Sequence, residues 1–254
     1  MKREYKLSSL ILVMILASVL TMITSWLFFA IAGNSLIMTF VGQILLMILS
    51  LIFQFALSSG LLRNRMGSVG EYLNQVNYIN GKIILINIIV QIVITFIVTL
   101  VTSFGGAFLF IAMVEAQPTT GTFVAILVAL LIVAFILIYN LLISYSNFYM
   151  ADFLVDSYRN IGIFEAIKNI FRIGKDLMGK TFMVYLKAAI IPIVLLIIMI
   201  LLGRSNFGMG AAFLFTLIII AMLIYSLVIG GIVLARMSDL YIDYMEVNRS
   251  KYLK

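Results

Sequence analysis

Long apolar runs alternate with short polar segments along the whole chain. The runs cover residues 8–31, 36–62, 83–104, 122–147, 181–202 and 211–235. Each is long enough to cross a bilayer as an α-helix, which takes about 20 apolar residues. A spanning segment must satisfy its own backbone polar groups, and a helix does so without a partner. The pattern predicts an all-α, polytopic membrane protein: a single integral membrane domain over 1–254 with six transmembrane helices. The first run ends in Ala30-Ile31-Ala32, which fits a signal-peptidase site. It is longer than the roughly 7–15 apolar residues of a signal peptide, so it reads as a retained span. The third run continues past Gly105 and Gly106 to Val114. That is more than a bilayer needs and predicts a break, or the membrane edge, near those glycines. Pro192 predicts a kink in the fifth span.

Two polar segments have helical periodicity. In 161–178, Phe164, Ile167, Ile170, Phe171, Leu177 and Met178 recur at helical spacing, while Glu165, Lys168, Asn169, Arg172, Lys175 and Asp176 form the other face. Glu165 with Lys168, and Arg172 with Asp176, are spaced to pair along the helix. The segment is too short and too charged to span, and reads as a cytoplasmic amphipathic helix in the headgroup plane. Glu165, Lys168, Arg172 and Lys175 are its candidate partner-coupling residues. A plain connector and a lipid-headgroup binder are the other readings. Segment 66–80 is a weaker version, with Val69, Leu73, Val76 and Ile79 as its stripe. Glu71, Leu73, Val76 and Ile79 align with Glu165, Ile167, Ile170 and Ile173, and after one gap Gly81-Lys82 aligns with Gly174-Lys175. This raises a parallel internal repeat, with span two, segment and span three matching span four, segment and span five.

Composition narrows the chemistry. The chain is 64% hydrophobic and 11% charged, with no cysteine and no histidine. Disulfides, thiol redox chemistry and ordinary zinc ligation are excluded, as are Ser-His and Cys-His nucleophile pairs. The net charge of +7 raises the question of nucleic acid, and the positions of the charges answer it. Of 17 Lys and Arg, all but Arg204 fall in the N-terminal tail, in or beside the segments after spans two and four, and in the C-terminal tail. That is the distribution of a chain with both termini cytoplasmic. The expected partner is the lipid bilayer, not nucleic acid, and the expected location is a bacterial cytoplasmic membrane.

No ionisable residue lies near the middle of any span. This argues against a proton- or sodium-coupled carrier and against an aspartyl intramembrane protease. No catalytic residue, metal ligand or cofactor site is expected, and the chain reads as a non-enzyme. Neutral amides do occur inside the spans. Gln54, Gln91 and Asn140 lie roughly 11–12 Å from the charged ends of their helices, and Asn87 is one turn from Gln91. They are either interhelical glue, at about 1 kcal/mol per bond, or an intramembrane polar site between spans two, three and four. Ala56/Gly60, Ser226/Gly230 and Gly231/Ala235 are small-residue pairs for close helix packing, within the chain or in a homodimer. Trp26 and the tyrosines at 139, 145, 149, 241 and 244 are expected in interfacial belts.

Tyr145-Ser146, Tyr149-Met150-Ala151, Asp156 and Glu165-Ala166-Ile167-Lys168 together carry a resemblance, as do Glu71-Tyr72-Leu73 and Gly81-Lys82. Over 63–202 the chain resembles a family of six-span bacterial membrane proteins, similar to the membrane domain attached to some glycerophosphodiester phosphodiesterases. The resemblance implies a membrane bundle and carries over no catalytic residue, because that active site belongs to a separate soluble domain. The functional expectation is a membrane subunit in transport, export or resistance, with its amphipathic helices contacting a partner. One version is the permease half of an ABC-type exporter with a separate ATPase. The alternative is an immunity or lipid-organising membrane protein.

Overall fold

A computed structural model describes residues 3–32, 35–93, 96, 99, 120–155, 161–203 and 209–252. Every regular element among them is helical. The helices α1 (Leu7–Ala32) and α2 (Leu36–Arg63) pack side by side. A short α3 (Val69–Leu73) follows, then a 3₁₀ turn over Asn74–Tyr78 and α4 (Gly81–Val93). Next come α5 (Thr120–Ile143), α6 (Ser146–Phe153), α7 (Ile163–Gly203) and α8 (Met209–Asn248), with a closing 3₁₀ turn at Arg249–Tyr252. Five helices are long and apolar enough to cross a membrane, and six if the bent pair Val69–Tyr78 and Gly81–Val93 counts as one span. The chain is an all-α, multi-pass membrane protein. The predicted break at Gly105 and Gly106, Asp156 and Arg204 lie outside the described residues.

The longest helices correct one expectation. α7 has 41 residues and α8 has 40. At about 1.5 Å per residue each reaches roughly 60 Å, twice the hydrocarbon thickness. Segment 161–178 is therefore not a separate helix lying in the headgroup plane. From Ile163 it is the first part of α7 and runs without a break into the fifth apolar run, the two intervening glycines, Gly174 and Gly179, being accommodated within the helix at about 1 kcal/mol each. Its buried stripe is also rotated from the predicted one. Ala166, Ile170, Ile173, Leu177 and Thr181 are buried, while Phe164 is 89% exposed. Residues 236–248 likewise continue the sixth span as helix.

Segment 66–80 behaves differently. Ser68 and Glu71 form a reciprocal capping box that starts α3. The Ser68 hydrogen bonds hold the Glu71 carboxyl below its usual value. Ile79 is extended, and Asn80 Oδ1 accepts the Ile83 N–H at 3.0 Å to start α4, which leaves the earlier turn at 95°. One segment bends sharply into its span and the other is collinear with it. The internal repeat is thus not expressed in the backbone. Asn80 is the reason, since 161–178 has no capping residue at the matching place.

The core occupies one end of the bundle. It runs from Leu10 and Val13 through Phe55 to Leu61, Ile83 and Ile86, most of α6, the first part of α7, and Ala235 to Met245. The other end presents apolar side chains outward on α1, α2, α5, α7 and α8. Small residues allow the close approaches. A Cβ on Gly174 would stand 1.9 Å from the Leu142 carbonyl oxygen, and one on Gly60 would stand 2.3 Å from the Tyr72 ring. Gly230 and Gly231 face Met14 and Leu7 of α1, so these members of the α8 small-residue pairs serve packing within the chain.

The tyrosines also correct an expectation. Trp26 is exposed, but Tyr139, Tyr145, Tyr149 and Tyr241 are buried. Tyr145 and Phe148 stack around Tyr241 at ring distances of 6.2 and 5.8 Å, and Tyr149 stacks on Phe153 at 4.9 Å. Their hydroxyls find partners inside: Tyr139 donates to the Val90 carbonyl, Tyr145 pairs with Thr181, Tyr149 accepts from Asn169 and Tyr241 donates to Asp152. They meet other helices instead of headgroups because α6 tucks between α2, α7 and α8.

Candidate functional site

Where the packed end gives way to the open one, the helices border a half-open pocket of about 330 Å³ lined by both polar and apolar side chains. α2 contributes Gln54, α4 contributes Asn87 and Gln91, and α5 contributes Asn140. The four amides singled out from sequence therefore line one space. Asn147 of α6 joins them, with Ser58, Ser144, Ser146 and Tyr185. Among the described residues, no Asp, Glu, Lys or Arg lines it.

The amides divide into two sets. Ser50 Oγ accepts from Gln54 Nε2 at 2.8 Å, Gln54 Oε1 accepts from Asn147 Nδ2 at 3.3 Å, and Asn147 Oδ1 accepts from Asn87 Nδ2 at 3.3 Å. This chain ties α2, α6 and α4 together through long, and so weak, bonds. The other two amides make no interhelical bond. Asn140 Nδ2 donates to the Ile136 carbonyl of its own helix at 2.9 Å. Gln91 has no hydrogen bond among the described residues. Part of the cluster is glue, and part is hydrogen-bonding capacity left open toward the cavity.

Asn147 is the residue that sequence reasoning missed. It lies two helical turns from Asn140, which would place both on one face of an unbroken helix. A two-residue turn at Ser144-Tyr145 interrupts the helical bonding within the span Leu130–Phe153, and the Ser144 hydroxyl donates to the Asn140 carbonyl at 2.6 Å. Beyond the turn, Asn147 stands between Gln54 and Asn87.

The charged residues gather at the packed end. Arg3 pairs with Asp243 and Glu246, Arg65 with Asp239 at 2.6 Å, and Arg249 with Asp152. Arg63 donates to the Ala151 carbonyl and lies over the Tyr78 ring, while Lys82 donates to the Ile161 carbonyl. The start of the chain, the α2–α3 connection and the far part of α8 are thus joined at one end. Arg65 is a hub: its carbonyl accepts the Lys6 N–H and the Tyr72 hydroxyl, both at 3.0 Å. Burial pushes the Tyr72 hydroxyl up to about 12, against the opposing pull of Arg65.

Glu165, Lys168, Arg172 and Lys175 are all exposed on α7. The expected pairs along the helix are absent from the ion pairs among the described residues, and Asp176 instead accepts from Tyr244. Among the described residues these four side chains make no hydrogen bond or ion pair. No group of three or more acidic residues that could hold a metal ion occurs among the described residues.

Comparison with protein-family models, with curated proteins and with solved structures found no match to this chain.

Proposed function

We propose that the protein is a non-enzymatic membrane subunit serving transport, export or resistance, and that it holds an uncharged polar group in the amide-lined cavity. The observation that carries this is the convergence of Gln54, Asn87, Gln91, Asn140 and Asn147 on one space with no charged residue among the described ones that line it. Asn87 is buried, Gln91 and Asn147 are half-buried, and Gln54 and Asn140 are exposed to the pocket or the bundle surface; amides in lipid seek partners. Gln91 and one side of Asn140 have none, which suits a bound group supplying them. The charged end is the cytoplasmic one in this reading, because the Lys and Arg gather there. It places the protein in a bacterial cytoplasmic membrane with both termini inside and six spans, α4 belonging to the third. The exposed face of Glu165, Lys168, Arg172 and Lys175 then stands in the cytoplasm, where it contacts a partner.

A more specific version is the permease half of an exporter with a separate ATPase. The sharply turned segment before α4 and the exposed face of the first part of α7 favour it, since both offer helical surface at the charged end to a soluble motor.

The test is deletion of the chain in its host, followed by complementation. Accumulation of, and susceptibility to, a panel of membrane-active compounds should change on deletion and be restored by the wild type. The Gln91→Leu/Asn140→Leu variant should fold with an unchanged Tm and fail to restore. A deletion without effect across the panel, or full restoration by the double variant, overturns the reading.

A further inference from the structure

The amide cavity does not stand alone. Between α1 and α2 runs a groove of about 500 Å³, lined by Met14, Ser18, Thr21 and Ser25 on one side and by Ser50, Phe53 and Gln54 on the other. Gln54 and Leu57 line both spaces. Gln54 is also the chemical bridge, bonded to Ser50 in the groove and to Asn147 in the cavity. On α1 the lining residues Met14, Ser18, Thr21 and Ser25 follow one helical face, which makes the groove mostly apolar with a seam of hydroxyls.

Depth gives the path a direction. Gln54 lies nine residues before Arg63 on α2, about 13 Å from the charged end. Ser25 lies eighteen residues beyond Leu7 on α1, about 27 Å from the same end. Met14 of the groove lies about 10 Å from that end, so groove and cavity meet at a similar depth, and the groove runs on from there toward the opposite face. A lipid in the leaflet at the charged end has this same orientation, with its head toward that end and its chains toward the midplane.

We infer that the groove and cavity form one laterally open site for a lipid with an uncharged, hydrogen-bonding head, of the diacylglycerol or glycosyl-diacylglycerol class. An acyl chain lies between α1 and α2, and the head reaches past Gln54 to Gln91 and Asn140. Among the described residues no Lys, Arg, Asp or Glu stands in either lining, which disfavours phosphate and ammonium heads, since in a low-dielectric site these need a partner charge. Hydroxyls and amides suit a head that both donates and accepts. The inference rests on the cavity being a binding site, and it names the ligand class and the route of access.

The experiment uses the full-length protein in vesicles of zwitterionic phospholipid carrying a trace of photoreactive diacylglycerol. A photoreactive phosphatidylglycerol of the same chain length serves as control. Diacylglycerol should label peptides from α1 and α2 around residues 14–25 and 50–57, and unlabelled diacylglycerol should compete. Gln91→Leu/Asn140→Leu should weaken that competition about tenfold, the loss expected for two hydrogen bonds. Thr21→Trp, which fills the groove and leaves the amides intact, should abolish the labelling at an unchanged Tm. Equal labelling by the phosphatidylglycerol probe overturns the inference, because it marks ordinary annular lipid. Undiminished competition in the double variant overturns it as well, because the head is then not in the cavity. If diacylglycerol does not label and the double variant still fails to complement the deletion, the lipid ligand is wrong and the cavity reading stands.

Discussion

The two ends of the bundle solve different problems. At the charged end, α3, α6 and the first part of α7 fill the space between the spans, and aromatic side chains close it. Ion pairs then tie both ends of the chain to the same surface. At the opposite end the described parts of the spans present leucine, isoleucine and phenylalanine outward. Water drives apolar burial at the first end. Lipid removes that drive at the second, since acyl chains are as apolar as leucine, and association there depends on packing detail and hydrogen bonds. The comparison implies that the packed end specifies the fold while the open end adapts to its surroundings.

Gly174 gives the hardest test. Its backbone meets that of Leu142 so closely that an added methyl group would overlap the carbonyl oxygen. The neighbour is main chain in a helix and has no rotamer to escape into. Gly174→Ala should cost about 3 kcal/mol or more, read as a large loss of thermal stability in detergent, or as failure to accumulate. A mild effect would mean that α5 and α7 can slide apart at the packed end, and the contrast between the ends would fail.

Arg65 and Asp239 give the next largest effect. Their side chains are only 13% and 11% exposed, and two guanidinium nitrogens of Arg65, Nε and Nη1, have no hydrogen-bond partner. Removing Asp239 would leave a buried cation without its counter-charge. Asp239→Asn should therefore cost roughly 3 kcal/mol. Replacing both partners, as Arg65→Met/Asp239→Leu, should cost much less than that single change. Thermal unfolding of the single and double variants checks the order. If the double variant is the worse of the two, Arg65 matters through its fit against α8 and not through its charge.

Sequence alone exposed the spans well and the space between them poorly. α1 and α2 coincide closely with apolar runs because lipid leaves no other reading for such segments. Gln54, Asn87, Gln91 and Asn140 were visible for the same reason, as amides conspicuous in an apolar background. Three things were not visible. The continuity of α7 was hidden because amphipathic periodicity looks alike in a helix lying on a membrane and in one docked on its own bundle. The buried tyrosines were hidden because an amphipathic ring suits both a headgroup belt and a packed junction, and only tertiary contacts choose between them. Asn147 was hidden because it sits at the end of its apolar run, where an amide is unremarkable, and only the tertiary contacts with Gln54 and Asn87 reveal its place.

The smallest expected effect lies at the open end and reports on company. Leu223 and Ile224 of α8 are 61% and 60% exposed. In a bilayer their side chains meet lipid in both the folded and the separated helix, so truncation changes little. Leu223→Ala and Ile224→Ala should each shift stability by less than about 0.5 kcal/mol. Met237→Ala, on the same helix but in the packed end, should cost about 2 kcal/mol. The measurement is unfolding in lipid nanodiscs that hold one copy each, repeated on protein extracted from native membranes without dissociation. Small effects in both preparations mean that lipid is the neighbour of α8 at this end. A loss at Leu223 comparable to that at Met237, seen only in the native preparation, would mean that another protein packs there. The open end would then be one side of an interface, and the asymmetry of the isolated chain would be that of a subunit waiting for its partner.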